Sequence, residues 1–319
     1  MRERGNWDEG GAEVRVTPGP AGADWVLGIG EILWDLLPDG PRLGGAPFNV
    51  IAHLRRLGHG AAFLTAVGED QLGREALAEM TAAWIDTTLA AVVPAPTGTA
   101  GVELDAGGHP TFVIHSPVAY EFVVLDDAAT ASIRSTPPAA IVFGTLAQRA
   151  AATRAATSAA LDAAPNALCV YDVNLREGTW SGPLVEALLG DATVLKLNDA
   201  EVEVLAPLVG LPVVQDEFAP AIAAGFGLDA VCITRGGSGA LLWQAGEIHR
   251  VGGIDIVVAD TIGAGDAFTA GLVDGLVRGR TPDETLATAN ALGAYVASCS
   301  GAIPAWTPDD LRRLGAVLG

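Results

Sequence analysis

Short, uninterrupted apolar runs alternate along the chain with alanine- and leucine-rich stretches of helical period. WVLGIG (25–30), AAFLTAVG (61–68), AAIVFGTL (139–146), ALCVYDVN (167–174), ATVLKLN (192–198) and AVCITRGG (230–237) predict strands buried on both faces. Between them, Asn49 to Leu57 predicts a helix with Val50, Leu54 and Leu57 on one face, and LGREALAEMTAAW (72–84) predicts another. Continuous apolar strands separated by helices imply an α/β fold, with a mostly parallel central sheet covered by helices on both sides. GIDIVVA (253–259) reads as one more strand. AFTAGLVDGLVRG (267–279) reads as the helix after it, with Phe268, Leu272 and Leu276 on one face and Gly279 as its stop.

Two stretches break this rhythm. Residues 33–45, LWDLLPDGPRLGG, have no helical period, and 98–122 reads as two strands around the turn Ala106-Gly107-Gly108. Together they predict a small β-sheet laid over the main domain as a lid. Its exposed strand edges suggest pairing into a homodimer. Residues 1–24 read as a polar, mobile extension, which leaves 25–319 as the folded α/β domain.

Composition narrows the function. Half of the 319 residues are apolar and 18% are charged, enough to bury a substantial core. A net charge of −20 argues against nucleic acid or an anionic membrane surface as partner, because both require a basic footprint. Cys169, Cys232 and Cys299 are far apart, with no CxxC or Cys/His cluster to suggest a disulfide framework or a zinc site. No segment reaches the ~18 consecutive apolar residues of a membrane span, and the N-terminus has no apolar signal core. The reading is a cytoplasmic protein. Lys196 is the only lysine, and it does not follow a glycine-rich loop, so a Walker A site is excluded.

The candidate chemistry lies in DTIGAGDAF (260–268). Gly263-Ala264-Gly265 falls between the predicted strand and a helix N-terminus, where free N–H groups and the helix dipole attract anions. Asp266 closes this loop, which places a carboxylate beside an anion hole. It reads either as an ordinary helix N-cap or as the base that deprotonates a hydroxyl attacking a phosphoryl group.

The same stretch extended, DTIGAGDAFTAGL (260–272), resembles the C-terminal signature of the ribokinase-like carbohydrate kinases, the phosphofructokinase B family. GGAPFNVIAHLRRLG (44–58) with VGEDQLGRE (67–75) resembles the family's N-terminal signature, and KLNDAEVEVL (196–205) contains its Asn-x-x-Glu element. TRGGSGALL (234–242) and NALGAYVA (290–297) resemble its nucleotide-site segments. The resemblance covers roughly residues 25–312. It implies a three-layer α/β/α sandwich, ATP and Mg²⁺ as cofactors, and a sugar as substrate.

Residue by residue, it implies that Asp266 is the catalytic base beside an anion hole of Ile262, Gly263, Ala264 and Gly265 amides. Asn198 and Glu201 would hold Mg²⁺ through water. Thr234, Gly236 and Gly239, with Lys196 and Asn198, would line the ATP site, and Asn290 would lie near the adenine. Asp35, Gly44, Gly45, Asn49 and Arg176 would meet the sugar. Asp260 and Ile262, with carbonyls near 297–301, would match a site where many members bind K⁺. Local alternatives stand beside these roles. Asn198 to Glu201 is also a capping box, TRGGSG a hairpin turn and Asn49 a helix cap; Asp35 could be a turn residue and Arg176 a surface arginine.

GEILWDLLPDGPRLGGAPFN (30–49) and FGTLAQR (143–149) are most similar to the bacterial fructokinase branch. Stretches 31–49 and 98–122 contain one arginine, Arg42, and two histidines, His109 and His115. A sugar phosphate would call for more cationic partners. The expectation is an ATP-dependent kinase for the primary hydroxyl of a neutral sugar, fructose first. The alternatives are 2-keto-3-deoxygluconate, ribose or a nucleoside as substrate, or a non-catalytic sugar-sensing relative.

Overall fold

Strands form where the apolar runs are longest, because only burial on both faces tolerates side chains without polar alternation. The computed structural model describes residues 24–37, 40–104 and 110–318, with backbone only at 102–104 and 110–112. The N-terminal extension, His109 and the expected turn at 106–108 lie outside the described residues. In chain order the strands are β1 (Trp25–Ile29), β2 (Leu33–Leu37), β3 (Gly40–Gly44), β4 (Gly60–Gly68), β5 (Ala90–Val93), β6 (Gly98–Leu104) and β7 (Pro110–Ile114). They continue with β8 (Ala140–Gly144), β9 (Leu168–Asp172), β10 (Val194–Asn198), β11 (Ala230–Thr234), β12 (Ala240–Gln244) and β13 (Glu247–Val251).

Nine strands make the central sheet in the order β13-β12-β11-β10-β9-β8-β1-β4-β5. From β5 to β11 all neighbours are parallel. β12 and β13 then add antiparallel, and residues 234–240 form the hairpin turn anticipated for TRGGSG. The strand order reverses between β1 and β8, and crevices open at the carboxyl ends of the strands beside such a switch point.

Alternation along β1 divides the core. Leu27 and Ile29 pack into one buried cluster and Val26 into the other. The first cluster is covered by α3 (Asp127–Ser135), α4 (Ala151–Ala163), α5 (Gly182–Gly190), α6 (Asp199–Leu208) and α7 (Gln215–Phe226). The second is covered by α1 (Ala46–Arg56), α2 (Gln71–Ala82), α8 (Ala264–Val277), α9 (Pro282–Ala297) and α10 (Pro308–Arg313). The result is the expected three-layer α/β/α sandwich.

The two irregular stretches pair with each other. β3-β2-β6-β7 form a separate four-stranded sheet, β2 and β6 parallel and the outer pairs antiparallel. The stretch 98–122 supplies the two strands expected of it, but the second ends at Ile114 and the chain then forms a 3₁₀ turn at Ala119–Phe122. Leu33 and Ala100 of this sheet pack on Tyr120, Leu146 and Ala147, which seats it on the main body.

Three expectations are corrected. Residues 253–259 are not a strand: they run as irregular backbone, with Val257 88% exposed. They follow β13, the edge strand of the central sheet, and do not pair with it. The first helix starts at Ala46, not Asn49, so Asn49 is not its cap; Gly45 is. Asp266 is likewise not an N-cap. It is the third residue of α8, which Gly263 caps with a left-handed backbone of φ 75°.

Candidate active site

A cleft of about 970 Å³ opens at the carboxyl ends of the parallel strands. β1 delivers Glu31 to it, the loop after β9 delivers Asn174 and Arg176, β10 delivers Lys196 and Asn198, and β11 delivers Thr234. Leu33, Asp35, Ala100 and Ile114 of the small sheet form one wall. The first turn of α8 forms the floor, and the irregular segment at 253–258 the opposite rim.

At the floor, Asn49 Nδ2 donates to Asp266 Oδ2 at 2.8 Å. Asp266 is partly accessible from the cleft. Burial pushes its carboxyl up to about 6, and the nearby Asp172 adds to the shift. The Asn49 hydrogen bond, Lys196 and Arg176 oppose it. The carboxyl is thus poised to change protonation near neutral pH, as a general base requires.

Beside it, the N–H groups of Gly263 and Gly265 have no acceptor among the described residues. Ile262 N–H donates to Asp260 Oδ1 at 3.0 Å and Ala264 N–H to the Thr261 carbonyl at 3.3 Å. Of the four amides expected in the anion hole, two are therefore already engaged within the loop. Gly263 is required by space as well as by its backbone angle: a Cβ there would lie 2.5 Å from Ala302 Cα.

Under the floor, parallel register sets Lys196 of β10 beside Asp172 of β9. Lys196 Nζ reaches Asp172 Oδ1 at 3.0 Å and Oδ2 at 3.2 Å, and Thr269 Oγ1 donates to Oδ2 at 2.7 Å. Burial works against the ammonium, but Asp172, Glu201 and Asp266 outweigh it and hold the pKa above the ordinary lysine value. The sole lysine is thus a fixed positive charge beneath the α8 N-terminus, 3.4 Å from where a Gly265 Cβ would stand.

On the small-sheet side, Asp35, Gly45, Asn49 and Arg176 all line the cleft. Burial raises the Asp35 carboxyl, with Arg176 opposing. Gly44 is adjacent but does not line it; a Cβ there would meet Asp35 Oδ2 at 3.0 Å. Gly45 lets the chain pass the β1–β2 connection, because a Cβ would fall 2.3 Å from the Glu31 carbonyl oxygen.

At the other end, Thr234, Gly236, Gly239 and Asn290 line the cleft, and Asn290 Nδ2 donates to the Gly252 carbonyl at 2.9 Å. Asn198 and Glu201 form a reciprocal capping box on α6. Glu201 Oε1 accepts from Leu175 N–H at 2.9 Å and Oε2 from Asn198 N–H at 2.8 Å. Asn198 lines the cleft while Glu201 is buried behind it. Asp260 spends both carboxylate oxygens on main-chain donors, Ile262 and, at 3.1 Å, Gly301. It therefore ties the loop before α8 to the one after α9.

Sequence reasoning missed Glu31 and gave no role to Asp172 or Asn174. Glu31 is 4% exposed, lines the cleft, and has no partner for Oε2. Burial pushes its carboxyl up to about 7; Asp266 adds to the rise, while its own and the Ala147 amides and Arg176 oppose it. The available signal was position: a charge directly after a fully apolar strand falls at the carboxyl edge of the sheet, where crevices open.

A doubly covered parallel sheet, with two unpartnered helix-terminal amides and a carboxylate at its switch-point crevice, is an arrangement suited to phosphoryl transfer. The chain belongs to the pfkB family of carbohydrate kinases, which it matches over residues 41–309. It is 32% identical to a fructokinase of Klebsiella pneumoniae, over 92% of this chain and 99% of that one. Among solved structures it is similar to a fructokinase from Vibrio cholerae O395 with fructose, ADP and calcium bound. That match has a TM-score of 0.75 and 27% identity, covering 91% of this chain and 98% of that one. A fructokinase from Xylella fastidiosa with bound ATP shares the fold at a TM-score of 0.78 and 21% identity, with 91% and 97% covered.

Proposed function

We propose that the protein transfers the terminal phosphoryl group of ATP to the primary hydroxyl of a neutral sugar, fructose first, with Asp266 as base. The observation that carries this reading is the Asp266 carboxyl, held by Asn49 and placed within one helical turn of the unpartnered Gly263 and Gly265 amides. As the sugar oxygen attacks phosphorus, Asp266 takes its proton. The bond from phosphorus to the ADP oxygen breaks, and the two glycine amides and Lys196 receive the charge on the migrating group.

ATP fits the far end of the cleft. Nothing lies within 4 Å of where a Cβ would stand on Gly236 or Gly237, so main chain is open to a polyphosphate there. The divalent cation fits only through water, because both Glu201 oxygens are engaged by amides and no cluster of three acidic or His/Cys ligands exists among the described residues. Asn198 and Glu201 would hold its hydration shell, and the cation would neutralise phosphate charge. A K⁺ role for Asp260 and Ile262 is part of the proposal and rests on the family resemblance, since both Asp260 oxygens and the Ala297 carbonyl already accept main-chain amides.

The sugar end favours a neutral substrate. Glu31, Asp35 and Asp266 line it against the single guanidinium of Arg176. A sugar acid would bring a further negative charge among three carboxyl groups. The small sheet supplies Leu33, Asp35, Ala100 and Ile114 and acts as the lid that excludes water during transfer. The deciding test is ADP release over fructose, ribose, 2-keto-3-deoxygluconate, adenosine and fructose 1-phosphate. Fructose should give the highest kcat/KM. Sugar binding without ADP release would favour the sensor reading.

A further inference from the structure

A second cavity, of about 950 Å³, lies between the carboxyl end of α1, strand β3 and the segment 300–304. Its charge runs against that of the chain. With 38 acidic residues to 18 lysines and arginines overall, this cavity is lined by Arg42, Arg55 and Arg56 against one carboxylate, Glu79. Neither Arg55 nor Arg56 takes part in an ion pair among the described residues. Arg55 Nε donates to the Trp84 carbonyl at 3.0 Å, and Arg56 Nη1 to the carbonyls of Ile303 and Pro304. Each guanidinium has five donors, so these contacts leave most of them unspent.

The helix dipole accounts for part of this. Basic residues in the last turn of α1 offset the partial negative charge of its carbonyls. That reason does not reach Arg42, which arrives from another sheet with Nη1 3.3 Å from Ser300 Oγ. Nor does it reach Trp84 at the rim. That side chain is 78% exposed, on a left-handed backbone of φ 59° that a bulky residue rarely adopts. Two guanidinium groups with donors unspent, lining one cavity with an exposed indole, match the chemistry of a phosphate group with a flat or apolar body.

We propose that this cavity binds a small phosphate-bearing anion, gripped by Arg55 and Arg56 with Arg42 opposite and Trp84 covering one side. The site is separate from the catalytic cleft but shares a wall with it. Ala302 lines the cavity and also lies against Gly263 of the anion hole, and Gly301 is tied to Asp260. The inference does not depend on which sugar the cleft takes.

The test is calorimetric titration of the full chain with inorganic pyrophosphate, in magnesium-free buffer at fixed ionic strength. Saturable binding is expected, and Arg55→Gln/Arg56→Gln should weaken it at least tenfold while leaving the KM for ATP at the catalytic cleft unchanged. Absence of saturable binding, unchanged affinity in the double variant, or a parallel rise in the KM for ATP would overturn the proposal. Should the double variant misfold, Arg55→Gln alone serves, since it gives up one hydrogen bond to the carbonyl of an exposed residue; it should still weaken binding several-fold. AMP and a sugar bisphosphate, titrated in parallel, separate the sources. Binding of AMP that Trp84→Ala abolishes marks a nucleotide, and bisphosphate binding indifferent to Trp84→Ala marks a sugar phosphate.

Discussion

Asn49 Nδ2 donates to Asp266 Oδ2 at 2.8 Å, joining α1 to the first turn of α8 beside the unpartnered Gly263 and Gly265 amides. The two residues are 217 positions apart. The bond fixes one carboxylate oxygen of a residue that lines the cleft. Replacing Asp266 with Asn keeps the shape and removes the proton acceptor, so kcat should fall by roughly 10²–10⁴-fold. ATP binding, measured by calorimetry, should be preserved. Turnover within about threefold of the parent would refute the assignment of the base.

The same carboxyl sets an acid limb. Its pKa is pushed up to about 6 by burial and by Asp172. The base works only when ionised, so kcat/KM should be flat above this value and fall about tenfold per pH unit below it. The hydrogen bond from Asn49 lowers the pKa. Asn49→Ala should therefore move the limb to higher pH, besides raising KM for the sugar. A limb unmoved in that variant would detach Asn49 from the titration.

Much of this site was legible because it lies at sharp local features. The glycines of 263–265 and the following apolar helix announce an anion-binding turn in sequence alone. The strands were legible for the same reason, since a run such as AVCIT permits little but burial. What failed was long-range. Residues 253–259 carry strand-like alternation, yet they line the cleft as irregular chain because the sheet ends at β13. Asn49 looked like a cap because Gly45, four residues before it, gives no side-chain signal. Glu31 and Asp172 gain meaning only when strand order brings Asp266, Lys196 and Arg176 around them, and that order depends on pairings far apart in sequence.

Gly263 offers a test of the anion hole independent of protonation. Alanine there must adopt φ 75° and place its Cβ 2.5 Å from Ala302 Cα, a main-chain atom that cannot swing aside. Gly263→Ala should cost about 1–3 kcal/mol of stability. It should also lower kcat more than it raises KM for the sugar, since in the proposed transfer the displaced amide would meet the phosphoryl group and not the carbohydrate. Denaturant melts and steady-state kinetics on one preparation separate the two effects.

Glu31 gives a prediction with a definite sign. Its pKa is raised from an ordinary 4.5 to about 7, with burial as the leading cause, so the folded state holds this proton more tightly than the unfolded chain does. Below pH 4.5 the group is neutral in both states and costs nothing. As pH rises from 4.5 to 7 the unfolded chain releases the proton first, and folding is penalised increasingly; above 7 the penalty is complete. The gap between the two values caps it at about 3 kcal/mol. Glu31→Gln never acquires the charge. Its stability relative to the parent should climb between pH 4.5 and 7 and then level off, as read from urea midpoints across that range. A difference independent of pH would mean that Glu31 is ionised in the fold and has found, in Arg176 or elsewhere, a partner sufficient to hold its charge.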